Sequence, residues 1–521
     1  MKEINFKKAL YAWSTNEICD FNCNTSFNSH VHYQSHNPYQ SHNPYQSHNP
    51  YQSHNPYQSH TPYHSATTVV DIENHTKQTL IRKESFGASV CPASGEPYKI
   101  NKAAFDFLNE IKNDEISNSE LLALLEREDN NVQNNVKGFI NRNIQLGWKD
   151  FPKNWKEYGK DSISVNNLLQ APYSIYLYPS LKCNLNNSCN KCYLNYTQET
   201  YNSILKPEQI EPIIKEMANL GIFHLTILGG EPLCYPYIEE VLTISKQYPM
   251  IVSLSTNGTL LTEQNTQMLS KYVDRIQVSV DGSSERTGEL LKGKGTFKPA
   301  IEGIKRLRNL GVSVIVSYVL TKSNMDEVEI EEFVNYMHEI DVNHISFLQY
   351  YPSGKNADTS NILSNADNKK VRDIINGLKQ EYESKIKISF EDTFVFSETC
   401  KIPSDFEIYD SSTIGCECGK TRLSIYPNGN VVPCDFVASY DDFVAGNIFE
   451  DTIENIWRNS EKLKVFRERK INEIEECNTC EYKLTCNGGC QAMAWIYKNK
   501  LNAPDPRCPK LNESTSLIYK L

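Results

Sequence analysis

Cysteine is the residue whose spacing in this chain speaks most directly of chemistry. There are sixteen in 521 residues, most of them grouped between Cys183 and Cys508. The first group lies in KCNLNNSCNKCY, which sets Cys183, Cys189 and Cys192 in one short loop. Three thiolates in a loop can hold three irons of a [4Fe–4S] cube and leave the fourth iron open. Zinc is the alternative, although a structural zinc normally takes four ligands. A second group fills the C-terminal part. It runs from Cys416 and Cys418 through SIYPNGNVVPC, where Gly429 and Cys434 make a G-x4-C arrangement, to Cys477-x2-Cys480-x5-Cys486-x3-Cys490 and Cys508. One C-x2-C pair would fit zinc, but a tetrahedral ion does not need so many interlocked cysteines. Disulfide scaffolds are usually short and exported. This chain is long, and its N-terminus, MKEINFKKALYAWS, lacks the apolar stretch of a signal peptide. The cysteines therefore read as metal ligands in a reducing, cytoplasmic setting.

The elements that must position them show a strand–helix alternation. Strands are predicted at YSIYLYPSL, FHLTILGG, MIVSLST, RIQVSVDG, VSVIVSYVL and HISFLQY. Helices such as 207–220 and 297–310 lie between them and stop at Gly221 and Gly311. Alternating β and α predicts an α/β fold with a parallel sheet, and six such units make an incomplete barrel. Active sites of such sheets lie at the carboxyl ends of the strands. There the first strand runs into the cysteine loop. The second ends in Gly229-Gly230-Glu231-Pro232, the third in Ser255-Thr256-Asn257-Gly258 and the fourth in Ser279-Val280-Asp281-Gly282. The glycine pair would let backbone approach a ligand closely, and the carboxylate could accept from an ammonium group.

Together, in this order, the cysteine loop and strand ends resemble the radical SAM superfamily, over about residues 172 to 350. The C-terminal cysteine series resembles the SPASM extension of those enzymes. The resemblance implies a partial (β/α)6 TIM-like barrel, S-adenosylmethionine as cofactor and three [4Fe–4S] clusters. By family pattern, Cys183, Cys189 and Cys192 hold the first cluster. Gly229, Gly230, Glu231 and Pro232 meet the ammonium end of the cofactor, Ser279 its methionyl or ribose part, and Asn257 is a further carry-over. Cys477, Cys480, Cys486 and Cys508 hold a distal auxiliary cluster. Cys418, Cys434 and Cys490 hold a nearer one, its fourth ligand being Cys416, Cys400 or none. The chain departs from the family at two points. The first cysteine gap is five residues instead of three, widened by Asn186, Asn187 and Ser188. Lys191 also stands before the third cysteine, where the family often has an aromatic residue near the adenine, and Tyr193 follows it. Asp435, in the run PCDF, matches the aspartate proposed as a base in anaerobic sulfatase-maturing enzymes; its plain alternative is a turn cap.

The rest of the chain bears on the substrate. Residues 33–62 repeat YQSHNP four times from Tyr33 to Pro56, then YQSHTP. Proline in every unit blocks helix and central strand, so an extended or polyproline-II tail is expected, about 90 Å long if fully drawn out. This tail reads as a fused substrate, as a solvated slippage product, or as a metal-binding histidine array. Residues 79–150 predict a hairpin (TLIRKESFGASV, YKIN), a helix capped by Asn101 with Phe105, Leu108 and Ile111 on one face, a second helix capped by Ser117 or Ser119, and a third marked by Val132, Val136, Phe139, Ile140 and Ile144 and ended by Gly147. That winged-helix-like pattern carries 9 Lys plus Arg against 11 Asp plus Glu, which does not favour DNA. It resembles the precursor-recognition element of ribosomal-peptide pathways, which captures a leader peptide as an added strand. The expected organisation is a tail over 1–75, a recognition domain over 76–165, the barrel over 166–395 and the SPASM domain over 396–521. A net charge of −11 argues against nucleic acid, and no apolar run is long enough for a membrane span. The expected function is a peptide maturase that installs a crosslink or thioether. It would act on a separate precursor or on its own repeats, fed by a reduced flavodoxin- or ferredoxin-type donor. Formylglycine formation from Ser or Cys, and peptide binding without catalysis, are the alternatives.

Overall fold

The computed structural model describes residues 78–92, 97–113, 121, 125–126, 130–145, 155–159, 168–185, 188–194, 196–353, 358–391, 416–508 and 510–511. The repeats, Cys19, Cys23, Asn186, Asn187 and Cys400 lie outside them, as do the expected helix caps Ser117 and Ser119 and the expected helix end Gly147.

The N-terminal unit is built on a sheet of order β3-β2-β1-β4. Strands β1 (Thr79–Glu84), β2 (Gly87–Cys91) and β3 (Tyr98–Asn101) form an antiparallel meander. Helix α1 (Lys102–Asn113) starts directly after Asn101, and α2 (Asn130–Gln145) follows. Phe105, Leu108 and Ile111 share one core with Val136 and Phe139, as a 3.6-residue period requires. Of the second expected helix, Leu121 and Leu125 are described, and both are buried. The fourth strand, β4 (Trp155–Glu157), pairs parallel to β1. Only three residues long, it buries Trp155 alone, so it has no alternation to read.

The second sheet holds the six predicted strands, β5 (Ser174–Leu177), β6 (His224–Ile227), β7 (Ile251–Thr256), β8 (Arg275–Ser279), β9 (Ser313–Leu320) and β10 (His344–Gln349), all in parallel. It extends beyond them. Strand β11 (Lys387–Glu391) adds parallel to β10, and β12 (Arg422–Ile425) adds parallel to β5. The short antiparallel strands β13 (Asn430–Val432) and β14 (Gly446–Asn447) then complete the order β11-β10-β9-β8-β7-β6-β5-β12-β13-β14. The cysteine-rich C-terminal part is thus hydrogen-bonded into the same sheet as the barrel. Helices α3 (Pro207–Asn219) and α4 (Phe297–Asn309) sit where the sequence predicts them. Gly221 closes α3 at φ +69°, where a Cβ would stand 2.6 Å from the Tyr158 carbonyl oxygen.

Apolar and polar positions alternate along most of the strands, which assigns a role to each face. Ile175, Leu177, Leu225, Ile227, Val252, Leu254, Ile276, Val278, Val314, Val316, Leu423 and Ile425 join the helices in one apolar core. The intervening positions, among them Tyr176, Thr226, Ser253, Gln277, Ser317, Ser346, Arg422 and Ser424, point to the opposite, inner face. A parallel sheet covered on both faces would read as continuous apolar runs; here the inner face is largely polar, with Ile315, Val319 and Leu348 as apolar members.

The two sheets are tied by a buried guanidinium. Arg82 on β1 is 1% exposed. It pairs with Glu84 at 2.8 Å and donates to the carbonyls of Ala171, Pro172 and Gly221 at 2.8, 3.1 and 3.0 Å. Glu84 also accepts from Ser89 Oγ at 2.8 Å and Gln170 N at 2.9 Å. With every charge-bearing atom engaged, the pair escapes the usual penalty for burial. Among the described residues no helix is long and apolar enough to cross a membrane.

Candidate functional site

The cysteine loop leaves β5 and is held by backbone and amide contacts. Cys189 N donates to Leu185 O at 3.1 Å and Asn190 N to Leu291 O at 2.8 Å. The Cys183 sulfur accepts from Leu185 N at 3.4 Å and faces Asn257 Nδ2 at 4.0 Å; the same amide donates to Asn184 Oδ1 at 2.9 Å. Asn257, at the end of β7, therefore steadies the first cysteine. Burial pushes the Cys183 thiol up to about 12, with Glu231, Cys189 and Cys192 adding to the effect. Burial and the neighbouring Cys189 push Cys192 up to about 11. The Cys183 and Cys192 thiols thus both feel the charge of Cys189, and a bound cation would invert that balance toward thiolate. Among the described residues no three His, Cys, Asp or Glu side chains close to single-ion distance. The donor set is all sulfur and lies in one loop, and that chemistry fits an iron–sulfur cube.

The Gly-Gly-Glu-Pro turn packs closely against the chain that precedes the cysteine loop. A Cβ on Gly229 would stand 2.5 Å from Ser180 O, and one on Gly230 would stand 2.3 Å from Leu181 O and 2.5 Å from Lys182 O. The glycines let the end of β6 lie against the chain that leads into Cys183. Glu231 is 2% exposed and accepts from Leu233 N at 3.1 Å, Thr256 Oγ1 at 2.7 Å and Asn257 N at 2.7 Å. Burial raises its pKa while these bonds oppose the rise. It clamps the ends of β6 and β7 together. Pro232 opens a single 3-10 turn. Cys234, expected in the core, is only partly buried because it ends that turn. Cys91, in neither cysteine set, is buried 3.8 Å from His224 Nε2.

Ser279, at the end of β8, belongs to a charged group that sequence reasoning missed. Lys191 donates to Ser279 Oγ at 2.5 Å and pairs with Asp281 at 2.6 Å. Asp281 is fully buried and accepts from Val319 N at 2.9 Å. Lys292, 3% exposed, donates to the Ser279 carbonyl and stands 3.7 Å from Asp281. Burial pushes Lys292 down to about 8 against the pull of Asp281. The SVDG ending was the one available signal. Lys191 and Lys292 sit in loops with no period, so nothing marked them as partners.

The C-terminal cysteines sort into two groups. Cys418, Cys434 and Cys490 are buried in one cluster, with Cys416 packed against it. Cys416 contacts Cys418, Cys418 contacts Cys434, and Cys490 feels Cys416. Cys477 feels Cys508 and Cys480, Cys486 feels Cys508 and Cys477, and Cys508 feels Cys480. Burial pushes Cys477 up to about 11, and Cys486 and Cys490 up to about 12. Asp505 links the groups: its carboxylate accepts from Cys490 N at 3.0 Å and pairs with Arg507 at 2.7 Å, while its carbonyl accepts from Cys508 N at 3.0 Å. Eight thiols in two sets of four match the donor chemistry of two cubes.

Between the first loop and the nearer set lies a polar seam. Asp435 follows Cys434 and is 7% exposed. It begins a short 3-10 turn, and its Oδ1 has no hydrogen-bond partner among the described residues. Its charge, after burial, helps to raise the hydroxyls of Tyr178, Tyr193 and Tyr426. Tyr178 and Tyr193 hydroxyls are 3.0 Å apart, and Tyr178 stacks on Tyr426 at 4.6 Å. Since Tyr193 adjoins Cys192, the seam spans the space from one cysteine group to the other.

Residues 177–337 match the model of the radical SAM superfamily, and residues 416–481 match that of the SPASM iron–sulfur cluster-binding domain. The mycofactocin maturase MftC of Mycolicibacterium smegmatis is 28% identical over 344 residues, 65% of this chain and 83% of its own length. An AdoMet-dependent heme synthase of Methanosarcina barkeri is 28% identical over 355 residues, 66% of this chain and 97% of its own. Streptococcus suis SuiB bound to precursor peptide SuiA shares the fold with a TM-score of 0.61 at 18% identity, covering 82% of this chain and 98% of that one. The anSMEcpe structure with bound AdoMet and a peptide gives 0.53 at 22% identity, covering 65% and 94%.

Proposed function

We propose that this chain, a radical SAM enzyme with a SPASM domain, modifies a peptide that its N-terminal unit recognises and the inner face of its barrel receives. The observation that carries the reading is the N-terminal unit itself. The likeness to SuiB, solved with a precursor peptide, spans 82% of the chain, more than residues 166–521 can account for. Outer strand β3 offers its edge to a leader segment, by strand addition.

Cys183, Cys189 and Cys192 would hold the first cluster. Cys416, Cys418, Cys434 and Cys490 would hold the nearer auxiliary one, and Cys477, Cys480, Cys486 and Cys508 the distal one, three in all. When bound, these groups and S-adenosylmethionine supply a 5′-deoxyadenosyl radical that takes a hydrogen atom from the substrate. The chain's own residues do the rest. Glu231 and Asn257 fix the cysteine loop, Ser279 with Lys191 and Asp281 lines the cofactor side, and Asp435 takes a proton from the peptide. The hydrogen atom goes to that radical, the proton to Asp435 and the remaining electron would pass to an auxiliary cluster, so that the net loss of two hydrogens yields a crosslink or thioether. The PCDF run keeps oxidation of Ser or Cys to formylglycine as a second reading.

The test is anaerobic incubation of reduced, reconstituted protein with S-adenosylmethionine, alone and with short peptides encoded beside it. Formation of 5′-deoxyadenosine and a product lighter by two hydrogens is expected; no 5′-deoxyadenosine under any condition defeats the reading. The lost mass in residues 33–62 would make the repeats the substrate, and an unchanged chain would assign a separate precursor. Hydrazide labelling of the product separates the aldehyde from the crosslink.

A further inference from the structure

The two auxiliary cysteine sets meet at a short link, and charged side chains hold it. Between Cys486 and Cys490 the chain runs through Asn487, Gly488 and Gly489, all at positive φ. Left-handed residues normally occur singly, so three in a row need outside support. Arg469 donates to the Asn487 and Gly489 carbonyls at 2.8 Å each, and to the Ala503 carbonyl. Asp505 N donates to Gly488 O at 3.0 Å. The segment that ends in Cys508 is thereby laid along the link.

Asp505 and Arg507 are both buried. Arg507 Nε and Nη2 donate to the two carboxylate oxygens at 3.0 and 2.7 Å, a bidentate fork. The same carboxylate accepts from Cys490 N at 3.0 Å. Arg507 Nη1 donates to Gln349, the last residue of β10, and the guanidinium lies over Tyr351 at 4.5 Å. The pair thus joins the cysteine link to the end of a barrel strand. Stability alone does not call for it, because apolar side chains of similar volume often serve as well. What it supplies is fixed charge beside cluster ligands. Burial is the main influence on the Cys486, Cys490 and Cys508 thiols; beyond it Asp505 raises all three, and Arg507 opposes it at Cys490. The potential of an iron–sulfur cluster follows the charge and hydrogen bonds around its sulfurs.

We propose that Asp505 and Arg507 are positioning residues for electron transfer. They fix the span between the two auxiliary clusters and set the potential at which the nearer one, on Cys416, Cys418, Cys434 and Cys490, takes up an electron. This deepens the peptide-modifying reading above and rests on it. The substrate radical is oxidised by one electron, its proton goes to Asp435, and the nearer cluster is reduced by one. An oxidised flavodoxin- or ferredoxin-type protein then takes that electron away.

The test is a redox titration of full-length, anaerobically reconstituted protein without substrate, each cluster being followed by electron paramagnetic resonance. Asp505→Asn removes an anion and leaves a cation, so the potentials of both auxiliary clusters should rise. Arg507→Gln removes the cation and leaves the anion, so the potential of the nearer cluster should fall. The double variant removes both charges and should bring the nearer cluster back toward its wild-type potential. It also serves where one single variant loses iron, because breaking a buried pair does more damage than removing both members. The first cluster should hold its potential throughout. Opposite shifts exclude a role in packing alone. Shifts of the same sign, unmoved potentials, or auxiliary iron lost from both single variants or from the double variant overturn the proposal. Wild-type 5′-deoxyadenosine formation tests the parent reading separately: its absence alongside opposite shifts would defeat that reading and leave the tuning by the pair.

Discussion

Replacing Glu231 by Gln separates a clamp from a ligand contact. The carboxylate accepts three hydrogen bonds, with Oε1 serving Leu233 N and Thr256 Oγ1 and Oε2 serving Asn257 N. A glutamine has one oxygen. If its nitrogen takes the place of Oε2 it confronts the Asn257 N–H, and if it takes the place of Oε1 it confronts the Leu233 N–H. Either way one buried backbone donor is stranded, which costs about 1–3 kcal/mol. Removing a buried charge returns part of that, since burial already disfavours the ionised form. A net loss of about 1–2 kcal/mol lowers the melting temperature by roughly 2–8 °C at about 2–4 °C per kcal/mol. Asn257 also steadies Cys183, so the first cluster should be lost sooner on dilution while the auxiliary clusters persist. Thermal melts of anaerobically reconstituted protein, with electron paramagnetic resonance of each cluster, read both effects. A Glu231→Gln protein that melts with the wild type and keeps its first cluster would refute the clamp, leaving cofactor contact as the residue's role.

Three further outcomes follow from other parts of the molecule. Cys416→Ser should cost up to about four irons per chain, the content of one cube, because Cys416 lies with Cys418 and Cys434; iron analysis showing full content would return the fourth position to another ligand. Lys191→Ala should raise KM for S-adenosylmethionine about tenfold, about 1.4 kcal/mol, since Ser279 and Asp281 lose their donor; an unchanged KM removes Lys191 from the cofactor side. His344, buried against Ser389 at 2.7 Å, is pushed down to about 3 by burial and by nearby Lys387, Arg275 and Lys379. The unfolded chain binds a proton near pH 6.5 that the folded one refuses until about 3, so stability falls as pH drops through that window, by at most about 1.4 kcal/mol per unit. His344→Asn should flatten the pH dependence of melting between pH 7 and 5, and an unaltered slope sinks this account.

The cysteine loop, the strand ends and the barrel strands were legible because each combines a period with a punctuation mark: β-branched alternation ending in Gly, Asn or Asp. Helix limits were nearly so, since Pro207 starts α3 and Gly221 and Gly311 take positive φ. What escaped were contacts between loops. Lys191 reaches Ser279 and Asp281 across some ninety residues of chain, and Glu231 spends its carboxylate on β7; no local pattern encodes either. The glycine pair was legible as a place of close approach, while the backbone that presses on it, at Ser180, Leu181 and Lys182, lies some fifty residues earlier and was not. Strand β12 was missed for a related reason: RLSI is only four residues long, and its partner β5 lies more than two hundred residues away.

That pairing bears on mechanism. If the cysteine-rich part were a separate body on the segment 392–415, its position over the barrel would vary with the linker. Instead Arg422, Leu423, Ser424 and Ile425 register against Ser174, Ile175, Tyr176 and Leu177, the strand that runs into the first cysteine loop. Neighbouring strands stand about 4.8 Å apart, so the hydrogen-bond ladder fixes Asp435 and Arg422 relative to that loop. A radical abstraction needs its reacting atoms held at contact distance, and a shared sheet gives that tolerance where a tether would not. Lengthening or shortening the 392–415 segment should then leave product formation intact, whereas proline in place of Ser424, which removes a ladder donor, should abolish it with the first cluster still assembled.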